Sequence, residues 1–182
     1  MDTHPLELEL GQPLPFWQTK PRYDGADYDL THLQPLDRTL HIEDQDAIQL
    51  TFRFSYHCCT DKLGNRGLGT RILEESRPDE TRHFCPVRWF LSLQLPALAK
   101  SLGPERLTRS SGFQWVHRVK VPGISLQWNI WLKVMPGPPN GRSIVAIETA
   151  FLGAAPPQIG TPETFKFVVR QTRRSNQLYG IP

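Results

Sequence analysis

The sequence predicts an α+β fold: a mostly antiparallel sheet of five to six strands, with one main helix (about 86–102) packed on one face. Three observations lead there. Ile48, Leu50, Phe52, Phe54 and Tyr56 alternate with Gln49, Thr51, Arg53, Ser55 and His57, the period-two mark of a half-buried strand. The last third of the chain repeats that period in several runs separated by Gly/Pro turns. Between the two lies one stretch, FCPVRWFLSLQLPALAKSLG, in which Val87, Leu91, Leu95, Leu98 and Leu102 recur at near-heptad spacing. Strands grouped in sequence, with a single helical stretch among them, make an antiparallel sheet with a helix on one face.

Residues 1–38 read as an irregular acidic N-terminal arm, with turns at PLP, KPRYDG and LQPLD, and 39–182 as a single α+β domain. RYDGADYDLTHLQPL spaces tyrosines and carboxylates like a loop that crosses a domain. TLHIEDQDA is read as a strand and a turn leading into the strand that runs through TFRFSYHCC. The polar segment 61–81, with three glycines and a proline, is a long connection, and such connections are usually functional or disordered. Pro86 suits a first helical turn, Pro96 should kink or divide the helix, and Gly103 stops it. After it come FQWVHRVKV, then ISLQWNIWLKV with Ile124, Leu126, Trp128, Ile130 and Leu132 inward, then SIVAIETAF after the turn MPGPPNG. The final strand is TFKFVVRQT, with Phe165, Phe167 and Val169 on one face.

At 182 residues the chain is one ordinary domain, able to bury a core without staples. No apolar run of about 18 residues exists, so no membrane span is expected. MDTHPLELELGQPL is acidic and proline-broken, unlike a signal peptide, and an odd count of 3 cysteines argues against a disulfide framework. A reducing bacterial-type cytoplasm is the expected location. The net charge of +3 conceals a split, with −7 over residues 1–50 and +10 over 51–182. A basic body suits an anionic partner, nucleic acid above all, or an acidic arm of its own folded over it.

The polar face of the sheet gathers Thr51, Arg53, Ser55, His57 and Cys59, then Gln114, Arg118 and Lys120, then Gln127, Asn129, Trp131 and Lys133. Glu148 or Thr149 joins them according to register, and the last strand adds Lys166 and Arg170. Cations, amides and one aromatic are what a phosphate backbone and a stacked base require, RNA more than DNA. The plainer reading is the solvated face that antiparallel sheets often have, or an interface with a protein partner. The same face carries a chemistry. Cleaving RNA at its 2′-hydroxyl takes a base, an acid and cations for the developing charge. His57 and Glu148 are the acid–base candidates, with Arg53, Arg118, Lys120 and Arg170 around them.

A metal is the other use of these residues. His57 with Cys59, and His83 with Cys85, would make a His₂Cys₂ zinc set if two extended segments met, with His32 able to replace one member. The spacing departs from C-x₂-C knuckles. Cys58, on the apolar face, reads as core, as do Trp115, Trp128 and His117. Nothing nearby marks a thiol activated as a nucleophile.

Taken together, RYDGADYDLTHLQPL, TFRFSYHCCTD and HFCPVRWFLSLQLPAL resemble stretches of small uncharacterised proteins of bacterial prophages and mobile elements. A helix followed by a polar-faced meander with a strand ending ETAF also resembles, in architecture, the barnase–EndoU–colicin–RelE superfamily of small RNases. That resemblance implies that Thr149 and Phe151 match the late-strand run. It leaves His57 to act from outside it, because paired histidines do not precede the sheet.

Overall fold

The computed structural model describes residues 15–42, 47–62, 71–72, 82–110, 114–123, 125–137, 141–154 and 159–179. Among these the fold is α+β, built on a seven-stranded sheet rather than one of five or six. The strands in chain order are β1 Arg22–Tyr23, β2 Ala26–Asp27, β3 Leu36–Leu40, β4 Ile48–Phe54, β5 Thr60–Asp61, β6 Arg71–Ile72 and β7 Arg82–Phe84. After helices α1 Pro86–Ser92 and α2 Leu95–Ser101 come β8 Arg106–Arg109, β9 Trp115–Lys120, β10 Gln127–Met135, β11 Ser143–Gly153 and β12 Ile159–Thr164, then helix α3 Phe165–Tyr179. The main sheet runs β12-β8-β9-β10-β11-β4-β3, while β5-β7-β6 and β1-β2 form small sheets of their own. All pairings in the main sheet are antiparallel except β11 with β4.

The extra strands are short or edge elements. β8 offers only Leu107 and Thr108 between two arginines, and β12 contains Gly160 and Pro162, which a central strand would not tolerate. Proline is acceptable at the edge that β12 forms, where no partner needs its missing N–H. β3 starts earlier than expected, at Leu36, so the end of the N-terminal arm is already sheet. Among the described residues before β3, Leu30 and Leu33 are fully buried in the core. The arm's tight turn, Asp24-Gly25, has φ of 46° and 78°, the double left-handed geometry of a type I′ hairpin for which Asp-Gly is suited.

The helical stretch divides at Leu93–Gln94, and Pro96 then falls in the first turn of α2 where its missing N–H costs nothing. Arg38 donates from Nη1 to the carbonyls of Ala99 (2.8 Å) and Leu102, closing the C-terminal end of α2.

Two strand expectations are corrected. The strand of TFRFSYHCC ends at Phe54; Ser55 turns the chain, accepting a hydrogen bond from the His57 amide, and Tyr56–Cys58 form a 3-10 turn. TFKFVVRQT is not a strand, because Phe165 opens helix α3. The apolar residues that reach the core are Phe165, Val168 and Val169, an i, i+3, i+4 set, whereas Phe167 stays half-exposed. Phe165 stacks on Phe52 with ring centroids 6.1 Å apart, which fixes α3 to the core face of the sheet. Burying aromatic side chains of this size stabilises the fold by about 1.5–3 kcal/mol each.

Candidate functional site

Three of the candidate side chains, Arg53, His57 and Glu148, gather at one place, where β4 leaves β11. The two strands run parallel from the pair Ser143 and Leu50 to the pair Ile147 and Phe54, and the Ser55 amide makes the last contact, to the Ile147 carbonyl (2.9 Å). Beyond that point the 3-10 turn of Tyr56–Cys58 replaces β4 beside β11. Here β11 also carries a bulge. Trp131 of β10 faces Thr149 and Leu132 faces Ile147, so Glu148 is the additional residue. A bulge re-aims side chains, and here Glu148 reaches Lys133 and Gln114, Thr149 lies near Arg88, and Ala150 is buried in the core. Of the two alternatives, Glu148 and Thr149, it is Glu148 that lines the cleft described next.

The result is a cleft of about 290 Å³ lined by Arg53, Ser55, His57, Ala146 and Glu148. Its volume is at the lower limit of ligand pockets, which begin near about 300 Å³. Glu148 is held at both carboxylate oxygens. Lys133 Nζ lies 2.8 Å from Oε1, and Gln114 Nε2 donates to Oε2. The ion pair is partly exposed, so it contributes on the order of 1 kcal/mol or less to stability and serves mainly to aim the carboxylate. Arg53 is exposed at the rim. His57 is half-buried, with its ring edge-on to Tyr56 at 4.4 Å between centroids.

Arg88, the one charged side chain of α1, braces this corner. Its Nη1 donates to the His57 carbonyl (3.1 Å) and lies 3.5 Å from Thr149 Oγ1, and its guanidinium sits over the Phe151 ring at 5.4 Å. Burial lowers its pKa, opposed by the neighbouring Cys85 and Asp61, yet a guanidinium starts so far above neutrality that it stays charged. Behind it the Cys58 thiol is fully buried and pushed up to about 12 by burial, with Arg88 pulling weakly the other way. Cys59 is pushed well up for the same reason.

A model of the YjaZ family matches residues 20–173, well over half of the chain. The chain belongs to the YjaZ family. No curated protein and no solved structure matches it. The family match begins inside the N-terminal arm and takes in the cleft residues and all but the end of α3.

The other expected site residues scatter. Lys120 is exposed on β9 and Arg118 is half-buried opposite Asn129. Asn129 is wholly buried, its Nδ2 donating to the carbonyls of Gly153 (3.3 Å) and Ala154 (3.1 Å), so it is a structural amide and not a nucleic-acid contact. Trp131 is half-buried with its indole N–H enclosed. Lys166 and Arg170 leave the polar face altogether, because their segment is α3 on the other side of the sheet. The zinc set does not assemble. Cys59 is buried and its Sγ contacts the Tyr56 carbonyl (3.3 Å). His83 faces Asp61 across the β5–β7 pair. Among the described residues no three His, Cys, Asp or Glu side chains converge to hold a metal. His32, the substitute ligand, is instead 2.7 Å from Ser92 Oγ. Most of the long polar segment, 63–70 and 73–81, lies outside the described residues, as does Ile124.

Sequence reasoning missed Ser55 as a turn cap, the Lys133–Glu148–Gln114 network and Arg88. A lone arginine in the apolar helix PVRWFLS was the available signal for the last.

Proposed function

We propose that this protein binds RNA through the cleft between β4 and β11 and cleaves it there by attack of the neighbouring 2′-hydroxyl. The observation that carries this reading is that Arg53, His57 and Glu148, on separate elements, line one cleft, with Lys133 paired to Glu148. Glu148, as a carboxylate, takes the 2′-hydroxyl proton while the 2′-oxygen forms its bond to phosphorus. The bond from phosphorus to the 5′-oxygen breaks, and His57, as imidazolium, protonates that leaving oxygen. Arg53 and Lys133 face the charge that builds on the phosphoryl oxygens. The products are a 2′,3′-cyclic phosphate and a free 5′-hydroxyl. Imidazole suits the acid role because its ordinary pKa lies near neutrality.

A second reading, a protein-interaction module, is favoured by α1, whose Val87 and Phe90 are 61% and 67% exposed. Incubating EDTA-treated protein with labelled single-stranded RNA separates the two. Cleavage is expected from the wild type, absent with a 2′-deoxy substrate, and reduced by about 10²–10⁴ in His57→Ala and in Glu148→Gln. Intact RNA with the wild type would sink the nuclease reading; a salt-sensitive retarded band would then leave binding alone. Neither cleavage nor retardation would leave the interaction module.

A further inference from the structure

Helix α3 carries Lys166, Arg170, Arg173 and Arg174 and no acidic residue. At 100° per residue these four lie within one third of the helix circumference, over about 12 Å of its length. All four are at least partly exposed, whereas Phe165, Val168 and Val169 on the opposite side are buried in the core. Arg106 and Arg109 of β8 are exposed as well, but three residues apart they leave on opposite faces of the strand, and Arg109 is the one that shares the face of the buried Leu107. Two acids flank α3 in the described chain: Glu105, whose carboxylate accepts from the Gly103 amide (2.6 Å), and Glu163 on β12.

Within the fold this pattern is unfavourable. Lys166–Arg170 and Arg170–Arg174 are like charges at i, i+4, and Arg170–Arg173 at i, i+3, each of which destabilises a helix. Lys166 also stands in the first turn, where the helix dipole repels a cation. Arg170 has an intramolecular contact among the described residues, its guanidinium lying 5.5 Å from the centroid of the Phe167 ring. A surface that repels itself in the free protein gains most from an external polyanion.

We propose that the exposed face of α3 is a second RNA-binding surface that holds backbone phosphates without regard to base sequence. It lies across the sheet from the cleft and requires neither the cleft nor cleavage. A lipid surface is the poorer fit, because an interfacial helix inserts its apolar side and that side of α3 is already in the core.

Fluorescence anisotropy of full-length protein with a labelled 2′-O-methyl RNA, which cannot be cleaved by its own sugar, tests this between about 50 and 200 mM salt. Each phosphate contact on a single strand contributes a slope of about −0.7 in log K against log salt. The variant Arg170→Gln/Arg173→Gln/Arg174→Gln is expected to lose about 2 units of slope and at least about tenfold in affinity at low salt, while Arg53→Gln loses about 0.7. Its melting temperature should hold or rise, since repulsion is relieved. The pair Arg173→Gln/Arg174→Gln, which keeps Arg170 on Phe167, should lose about 1.4 and covers the case in which the triple variant folds poorly. Unchanged slope and affinity in both variants would overturn the proposal. So would a wild type that binds no RNA, or a loss confined to vesicles of anionic lipid. RNA bound through α3 but left intact in its 2′-hydroxyl form would refute the cleavage reading and leave this one standing.

Discussion

Replacing Arg88 by methionine tests the bracing of the cleft. Methionine keeps an unbranched stem of similar length but removes the guanidinium. The hydrogen bond from Nη1 to the His57 carbonyl is lost, and bonds from charged donors contribute about 1.5–3 kcal/mol. The contact over Phe151 adds about 0.5–2 kcal/mol. The Thr149 hydroxyl, at 3.5 Å, is too distant to add much. Because Arg88 is half-buried and not fully enclosed, the lower ends apply, and about 2–3 kcal/mol should be lost in all. For a domain of this size that corresponds to a melting temperature lower by about 4–12 °C. Urea unfolding should show the midpoint falling at constant m-value. Arg88→Lys, with the charge but without the planar fork, should fall between. His57 ring resonances should move in Arg88→Met while those of His117, on the core face, stay in place. A loss below about 0.5 kcal/mol, the level of an ordinary surface substitution, would refute the bracing argument.

Two further outcomes follow from the packing. Val168→Ala should cost about 2 kcal/mol, because Val168 is only 2% exposed, and half-exposed Phe167→Ala less than about 1 kcal/mol; the reverse order in chemical denaturation would mean that 165–170 is a strand. The second concerns alkaline pH. Cys58 keeps its proton in the folded state to about pH 12, while a thiol in the unfolded chain ionises near about 8.5, so the folded state binds the extra proton between those values. Stability should therefore fall as pH rises above about 8.5, by up to about 1.4 kcal/mol per pH unit for this thiol, and Cys58→Ala should flatten that decline.

Alternation made β4, β9, β10 and β11 legible, since a strand with one buried face writes its period into the chain. Helix α3 escaped because Phe165, Phe167 and Val169 satisfy a period of two while Phe165, Val168 and Val169 satisfy 3.6, and so short a run does not separate the periods. The core decided, since Val168 and not Phe167 meets it. β8 and β12 were invisible for another reason. Short strands near an edge bury too little to show a pattern, and their pairing is held by backbone hydrogen bonds that any sequence can make.

The candidate site divides in the same way. His57, Glu148 and Arg53 were recognisable as residues able to do acid–base and phosphate chemistry, because that depends on side-chain type. So were the buried Cys58 and the break before Pro96, because those depend on local polarity and on a missing N–H. That the three cleft residues meet depends on where β4 ends, on the parallel pairing of β11 with β4, and on a bulge that turns Glu148 outward. The same tertiary contacts enclosed Asn129 and carried Lys166 and Arg170 to the opposite side of the sheet. Chemistry belongs to the side chain and travels with the letter, whereas proximity belongs to strand order and register, which are settled only when the whole core packs.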